Sequence, residues 1–269
     1  MKRILSLGAG VQSSTLALMA ARGEIEPVDC AIFADTGAEP LGVMKWLDWL
    51  ESELNYPVYR VKEADGILEN IKGSCTDRSK RPANPPVYTK NSDGSKGMLR
   101  RVCTSEFKIK PITQKVRELV GMKPGQRGKP GEVLVTQLIG ISLDEVQRMK
   151  DSHLSWIQHE WPLIDRRMSR HDCKMWMDSH GYPEPPKSAC TFCPFHNDDV
   201  WREMKASDPV SFEQAVEVDE MMRDGLGGTS EKLYLHRSLK PLREVDFRNE
   251  YDMGQLDFFN NECEGMCGV

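Results

Sequence analysis

The first half of the chain alternates short apolar runs with segments of helical periodicity, and this alternation constrains the fold more than any other feature. The run at 133–141 is almost continuously apolar, which is typical of a strand buried on both faces. A strand-helix-strand-helix order predicts an α/β fold, a mostly parallel sheet flanked by helices. Strands are predicted at 2–7, 28–34, 58–61 and 133–141, and helices at 13–22, 41–54 and 109–120.

The rest of the chain is less periodic. Residues 73–102 show neither the two-residue period of a strand nor the 3.6-residue period of a helix. We interpret this long stretch as a loop that forms a flap on the substrate side. Ser142 and Glu145 have the spacing of a capping box that starts a further helix. A helix is also predicted at 169–180, ended by Gly181. We expect one domain over 1–269, with an α/β core at 1–160 and a Cys-rich helical subregion at 161–269.

Composition excludes some classes of protein. The chain has 269 residues, 39% of them hydrophobic, and contains no run of eighteen apolar residues that predicts a membrane span. The apolar N-terminal segment is interrupted by Gly8 to Ser14, so we interpret it as mature sequence. Eight cysteines in such a chain favour metal, redox or catalytic use in a reducing cytoplasm over a disulfide scaffold.

Charge is unevenly distributed along the chain. The formal net charge is −5, yet residues 72–110 hold ten basic and three acidic residues, a local charge of +7. This asymmetry favours an anionic partner bound at one segment, and a solvated basic loop is the alternative that charge alone leaves open.

A Gly- and Ser-rich loop, Ser6 to Ser14, joins the first predicted strand to the first helix. Small residues let backbone N–H groups approach an anion, and the helix N-terminus adds partial positive charge. The loop therefore predicts a phosphate or sulfate site, although a tight turn capped by serine has the same sequence signature. It lacks the third glycine of a dinucleotide fingerprint and the Gly-Lys-Ser/Thr of a P-loop.

The loop resembles the PP-loop of the adenine nucleotide α-hydrolase-like superfamily, usually Ser-Gly-Gly-x-Asp-Ser. Gly8 replaces the first serine and Gln12 replaces the acid, a departure shared with sulfonucleotide reductases of the phosphoadenosine phosphosulfate (PAPS) reductase family. Asp35-Thr36-Gly37, Val102-Cys103 with Lys108, and Gly140 with Arg148 are similar to further segments of that family. The resemblance implies the following nucleotide-binding residues: Ser6, Gly8, Gly10, Gln12, Ser13, Ser14, Asp35, Thr36, Gly37, Arg101, Lys108, Gly140 and Arg148.

Cysteines in the second half indicate a metal site. Cys190 and Cys193 form a Cys-x-x-Cys pair, and Cys173 and Cys103 lie upstream. Four thiolates suit either tetrahedral zinc or a 4Fe-4S cluster. The family resemblance implies the iron–sulfur cluster, while a buried core thiol is the alternative role for Cys173.

The last residues carry two more cysteines, Cys263 and Cys267. Glu262-Cys263 resembles the C-terminal Glu-Cys-Gly of sulfonucleotide reductases, in which the cysteine attacks the sulfate sulfur and a thioredoxin-like reductant releases sulfite. The pair also fits a switching disulfide, a persulfide carrier, or incidental thiols in a frayed tail.

Three functions follow from these features. The leading hypothesis is a cytoplasmic enzyme of sulfur metabolism, a PAPS reductase-like oxidoreductase that binds an adenosine phosphosulfate. The first alternative is an ATP-dependent sulfurtransferase acting on tRNA or DNA, which the basic segment favours and Gln12 opposes. The second is a noncatalytic nucleotide- or zinc-binding module.

Overall fold

A five-stranded sheet forms the centre of the protein. The computed structural model describes residues 1–77, 79, 84–129, 131–229 and 231–248. Every pair of neighbouring strands in the sheet is parallel, so the predicted α/β class is confirmed. Its strands are β1 (Lys2–Leu7), β2 (Cys30–Asp35), β3 (Val58–Lys62), β6 (Val135–Ile139) and β7 (Ile157–Glu160), in the spatial order β3-β2-β1-β6-β7.

Strand order changes direction between β1 and β6. From β1 the chain proceeds outward to β2 and β3, and it then returns to place β6 on the other side of β1. The connections at such a switch point leave in opposite directions, which opens a crevice at the carboxyl ends of the two strands. The Gly8–Gly10 turn follows β1 and Gly140 follows β6, so both lie at this crevice.

Helices cover both faces of the sheet. Leu5 on β1 packs with helices of one face, whereas its neighbour Ile4 packs with the other, as the two-residue period of a strand requires. The helices are α1 (Val11–Ala21), α2 (Leu41–Glu53), α3 (Gly66–Thr76), α4 (Lys110–Leu119), α5 (Pro162–Asp165), α6 (Arg170–Ser179), α7 (Asp198–Ser207) and α8 (Pro209–Met222).

The segment predicted as a flap contains regular secondary structure. Its beginning is the end of α3, and its later part forms the antiparallel strands β4 (Tyr88–Lys90) and β5 (Lys96–Met98). A third strand from the C-terminal part, β8 (Lys232–Tyr234), pairs with β4. The interpretation of 73–102 as one long loop was therefore wrong, because the Asp93-Gly94 turn closes a hairpin.

The predicted helix at 169–180 is confirmed as α6. Ser169 is its N-cap, its side chain accepts from the Asp172 N–H, and the Asp172 carboxylate bonds back to Ser169, a complete capping box. Gly181 follows the helix with φ of 72°. In contrast, the capping box predicted at Ser142 is wrong, since no side-chain cap bond forms and residues Leu143–Arg148 make a 3-10 turn.

A separate hydrophobic cluster lies between α3, α7, α8 and β8, with Trp201 and Phe192 fully buried in it. In this cluster, residues of the predicted α/β core pack against residues of the predicted C-terminal subregion. Helix α6 of that subregion likewise packs on α1 of the core. The described part of the chain holds no helix with the length and apolar character needed to cross a membrane.

Candidate functional site

The turn after β1 is held by hydrogen bonds among its own residues. Ala9 has φ of 54°, in the left-handed region, and its methyl group is fully buried. The Gly8 N–H donates to Ser13 Oγ at 3.1 Å, and that hydroxyl donates to the Gly10 carbonyl at 3.3 Å. These two bonds hold the turn in a fixed shape before any ligand binds.

Helix α1 begins at this turn without a side-chain cap. The first backbone bond of its N-terminal turn runs from Ser14 N to Gly10 O at 2.9 Å. The N–H groups of Val11, Gln12 and Ser13 precede that bond and have no helical acceptor. All three residues line the main cleft, so the positive end of the helix lies at the cleft wall.

The cleft has a volume of about 300 Å³ and lies at the switch point between β1 and β6. One wall is apolar, and it contains Phe33, Ala34, Ile112, Leu154 and Ile157. Five cationic side chains line the rest, against two carboxylates, Glu145 and Asp151. The cations are Lys108, Arg148, Lys150, Arg170 and Lys187. An apolar wall beside an excess of cations suits a planar base that carries several anionic groups.

Gln12 is fixed by the opposite side of the cleft. Its Nε2 donates to Ser142 Oγ at 3.3 Å and to Glu145 Oε2 at 3.2 Å, while Arg170 Nη1 lies 3.4 Å from its Oε1. Glu145 also pairs with Arg148. Ser142 and Glu145 therefore bond to Gln12 and Arg148 in place of forming the predicted cap.

Gly140 allows α1 to approach β6 closely. A Cβ at Gly140 would lie 2.9 Å from both Cα and N of Ser13, which are backbone atoms. Gly10 is crowded by a side chain, since a Cβ there would lie 2.6 Å from Ser188 Oγ. Two glycines thus fix the width of the crevice around the turn.

The predicted nucleotide-binding residues divide into two groups. Ser6, Gly8, Gly10, Gln12, Ser13, Lys108, Gly140 and Arg148 line the cleft. Ser14, Asp35, Thr36, Gly37 and Arg101 are not among its lining residues.

The second group has local structural roles. The buried Ser14 hydroxyl accepts from Trp46 Nε1 at 3.1 Å, and Asp35 Oδ1 accepts from the Gly37 N–H at 2.7 Å. The Arg101 guanidinium lies 6.0 Å from the Phe195 ring. The second strand therefore contributes Phe33 and Ala34 to the cleft in place of the predicted residues 35–37.

Sequence analysis missed several lining residues, among them Lys150, Arg170, Lys187 and Ser188. Ser188 lies two residues before the Cys-x-x-Cys pair, and this proximity was the one sequence signal that could have placed it near the site. Arg170 is the first residue of α6, and its placement depends on how α6 packs against α1, which sequence periodicity does not show.

Three of the four predicted metal ligands lie together. Cys103, Cys190 and Cys193 line a second, smaller cavity of about 30 Å³. The Cys193 N–H donates to the Cys190 carbonyl at 3.0 Å, which makes the Cys-x-x-Cys pair a tight turn. Cys190 Sγ lies 3.3 Å from the Thr36 hydroxyl, and that hydroxyl donates to Glu39 at 3.0 Å.

Cys173 lies elsewhere. It is fully buried on α6 within the cluster that α1 and α2 form against the sheet, and burial raises its pKa to about 12. The predicted set of four is therefore not brought together. Among the described residues, no group of three or more His, Cys, Asp or Glu side chains is arranged to hold a metal ion. Cys263 and Cys267, the predicted catalytic cysteines, lie outside the described residues.

His196 follows the Cys-x-x-Cys pair and forms a hydrogen bond with its backbone. Its Nε2 lies 2.9 Å from the Cys190 carbonyl, and its ring meets Trp201 edge-on at 4.8 Å between centroids. Burial lowers the pKa of His196 to about 4, so the ring is neutral and Nε2 carries the proton that the carbonyl accepts. The histidine is thus a structural support of the turn.

The cleft and the cysteine cavity are adjacent. Lys108 lines both, and its ammonium lies 3.8 Å from the buried carboxylate of Glu39. The segment that begins at Pro186 lines the cleft as far as Ala189 and then lines the cysteine cavity from Cys190. A single short stretch of backbone therefore forms part of both walls.

Comparisons with known proteins found similarity to solved structures. No family profile matches the chain, and no curated protein matches it. Among solved structures, the chain is similar to phosphoadenylyl-sulfate (PAPS) reductase from Candida auris, solved as a phosphate complex. The two are 14% identical, the match covers 69% of this chain and 75% of that chain, and the TM-score is 0.43.

Proposed function

We propose that the protein is a sulfonucleotide reductase-like enzyme that binds an adenosine phosphosulfate in the cleft at the β1–β6 switch point. The observation that carries this proposal is the uncapped N-terminus of α1, which faces a cleft lined by five cations and an apolar wall. Phosphate and sulfate groups match the donors and the charge, and adenine matches the apolar wall.

The charge of the site favours an already activated nucleotide over ATP with its magnesium ion. Gln12 stands in the loop where PP-loop enzymes that cleave ATP carry an acid, and an amide is a poor partner for Mg²⁺. Glu145, the cleft carboxylate that Gln12 contacts, is paired with Arg148. A ligand with one phosphate and one sulfate needs no metal to neutralise it where cations are in excess.

The reaction consists of two balanced steps. The Cys263 thiolate attacks the sulfate sulfur, forms a thiosulfonate and displaces AMP, whose phosphate leaves toward the α1 N-terminus and the cleft cations. One thiolate of a thioredoxin-like dithiol then attacks the Cys263 sulfur, which releases sulfite and forms a mixed disulfide. The second thiol of the reductant attacks its own partner sulfur in that mixed disulfide, which closes the reductant's disulfide and regenerates the Cys263 thiol. Cys267 is the second tail thiol available to this exchange.

Cys103, Cys190 and Cys193 supply three thiolates of a metal centre in this proposal, a 4Fe-4S cluster with zinc as the alternative. Such a centre would contribute fixed charge and would hold the segment at 186–193 beside the cleft. The support for it is that these thiols line one cavity next to Lys108.

Sulfite release tests the proposal. The anaerobically purified chain, given thioredoxin and either adenosine phosphosulfate or its 3′-phosphorylated form, is expected to release sulfite. The nucleotide product should be AMP from the first substrate and adenosine 3′,5′-bisphosphate from the second. Cys263→Ser should abolish release, while Cys173→Ser should retain it. A protein that releases no sulfite but converts ATP to AMP and pyrophosphate would contradict the reductase and support the ATP-dependent sulfurtransferase.

One observation favours that second function. The second sheet places Lys90 opposite Lys96 on one side and Lys232 on the other, so three lysines lie side by side. A row of cations on an exposed sheet suits a nucleic-acid backbone. Binding of tRNA or DNA that weakens steeply with salt supports the sulfurtransferase. A colourless zinc protein without turnover supports the noncatalytic module.

A further inference from the structure

We propose that the outer face of the second sheet binds a single-stranded nucleic acid, whose phosphates lie on a row of lysines and whose bases stack on two tyrosines. The sheet consists of β5, β4 and β8 in that order. The inference goes beyond the proposed reductase, because it does not depend on which reaction the cleft performs. It gives the three lysines of this sheet a defined binding face and one class of partner.

The register of the strands arranges this face in two parallel rows. Successive residues of a strand point to opposite faces, so Tyr88 and Lys90 on β4 share one face. Tyr88 lies opposite Met98 on one side and Tyr234 on the other. Lys90 lies in the same way between two further lysines. An aromatic and apolar row therefore runs beside a cationic row, and the two are separated by two residues along each strand, about 7 Å.

Burial shows which face of the sheet is turned outward. Thr89 and Leu233, which alternate with the residues of the two rows, are 5% and 0% exposed. Leu233 belongs to the hydrophobic cluster that α8 helps to form, so this is the inner face. In contrast, the three lysines are exposed, Met98 is 44% exposed, and both tyrosines are half-buried. The two rows are therefore accessible to a ligand on the outer face.

The lysine row concentrates positive charge. Lys96, Lys90 and Lys232 lie side by side on neighbouring strands, and like charges directly opposite one another destabilise a sheet. Asp224 pairs with Lys232 and relieves one of these charges. Lys96 donates to the Arg237 carbonyl at 2.6 Å, which holds its ammonium in place without neutralising it. Phosphates bound along the row would neutralise the charges that remain.

Cations also hold the two tyrosine rings. The Lys96 ammonium lies 4.5 Å from the centroid of the Tyr88 ring, and the Arg223 guanidinium lies 4.0 Å from that of Tyr234. Arg223 is itself fixed, since its Nη1 donates to the Leu233 carbonyl at 2.7 Å. An ordered ring loses little freedom when a base stacks on it, and every base has a planar face for stacking. The rings are therefore pre-organised contacts for unpaired bases.

The combination of the two rows favours a single strand over other polyanions. In a duplex the bases are stacked on one another, so tyrosines on a sheet would reach little more than the backbone, whereas a single strand can turn its bases outward. An acidic peptide or an anionic membrane supplies charge but no planar bases. The outer strands lie about 10 Å apart, which is about three nucleotides at about 3.4 Å for each nucleotide of one strand.

Fluorescence anisotropy of the full chain with labelled oligodeoxythymidine tests the phosphate contacts between about 50 and 200 mM salt. Lys90→Ala should lower the slope of log affinity against log salt by about 0.7, the value for one phosphate contact on a single strand. Replacing Lys90, Lys96 and Lys232 together should lower the slope by about 2 and the affinity at least about tenfold. Lys174→Ala is the matched control, because this lysine on α6 is also exposed and pairs with Glu184. It should change neither value.

The tyrosines are tested by a readout that charge does not move. Tyr88→Leu and Tyr234→Leu keep an apolar side chain but remove the ring, so each should weaken binding of the single strand at least about fivefold with an unchanged salt slope. Tyr88→Phe keeps the ring and should bind as the wild type does. Melting curves measured by circular dichroism identify any variant that has lost its fold, and the comparison is made among folded variants.

Several results would overturn the inference. They are a wild type that does not bind the single strand at about 50 mM salt, a three-lysine variant that binds as the wild type does, and equal binding by Tyr88→Leu and Tyr88→Phe. A duplex of equal length that binds as tightly, or anionic vesicles or an acidic peptide that displace the oligonucleotide at equal charge, would assign the face to that partner instead.

Sulfite release from the same preparations separates this inference from the proposed function. A chain that binds the single strand through this face but releases no sulfite supports the inference and contradicts the reductase. A chain that releases sulfite but does not bind the single strand contradicts the inference alone.

Discussion

Replacing Gly140 with alanine tests whether the close approach of α1 to β6 shapes the nucleotide site. The new Cβ would lie 2.9 Å from Cα and N of Ser13, whereas ordinary contacts begin near 3.4 Å. Because both atoms belong to the backbone, the strain is relieved only if the turn after β1 moves by about half an ångström. Such overpacking costs about 2 kcal/mol, within the range of 1–3 kcal/mol found for crowded cores.

This displacement acts on the proposed ligand contacts directly. The Val11, Gln12 and Ser13 N–H groups would move away from their anion, and a loss of about 1.4 kcal/mol in binding is a tenfold loss of affinity. We expect AMP to bind Gly140→Ala at least about tenfold more weakly in calorimetry. The melting temperature should fall by about 4–8 °C, since 1 kcal/mol corresponds to about 2–4 °C in a chain of this size.

Gly42→Ala is the matched control. Gly42 lies in the first turn of α2, and a Cβ there has no atom within 4 Å. Alanine is the better helix former, so this variant should keep its AMP affinity and be stabilised by up to about 1 kcal/mol. If Gly140→Ala bound AMP within twofold of the wild type at an unchanged melting temperature, the close approach would have no part in binding.

Three further changes test other contacts. Gly10→Ala should weaken AMP binding because its Cβ would lie 2.6 Å from Ser188 Oγ, and adding Ser188→Ala should restore it, since the Ser188 Cβ is 3.6 Å away. Asp219→Ala should lower the free energy of unfolding by about 3 kcal/mol in urea titrations, because the fully buried carboxylate serves two backbone N–H groups and a guanidinium. His236 lowers the pKa of Asp198, so this pair stabilises the fold above the unfolded pKa of Asp and the contribution disappears as pH falls through the lower folded value. Asp198→Asn should therefore flatten the acid side of the stability profile.

Each of these three changes has its own contradicting result. A double variant at positions 10 and 188 that binds as poorly as Gly10→Ala would show that the crowding has another source. Asp224→Asn removes a carboxylate from an exposed ion pair with Lys232, and it should cost less than about 0.5 kcal/mol. An equal loss in Asp219→Ala and Asp224→Asn would contradict the buried network. An acid profile unchanged by Asp198→Asn would contradict the role of its pair with His236.

Four of the five strands of the central sheet could be predicted because their signals are local, whereas β7 was not predicted. The apolar run of β1, the Gly8–Gly10 turn and the start of α1 lie within fifteen residues, and each has its own periodicity or turn chemistry. The short strands β4 and β5 were missed because three residues each are too few to show alternation. Their pairing depends on β8, which lies more than 130 residues later in the chain.

Features that depend on tertiary contacts could not be predicted from the sequence. The helix around Cys173 was predicted correctly, yet its packing on α1 buries the thiol away from the other cysteines. The Ser142–Glu145 spacing fits a cap, but Gln12 binds both side chains from 130 and 133 positions away. Side chains that bond to a distant segment are no longer available to the local motif that their spacing indicates.

The pairing of β8 with β4 has a consequence for synthesis on the ribosome. The hairpin of β4 and β5 is translated more than a hundred residues before Lys232–Tyr234, so β4 has an unpaired edge throughout that interval. A nascent chain that stalls before residue 232 presents this edge together with the apolar surfaces of α3 and α8, which makes it a template for aggregation and a target for chaperones.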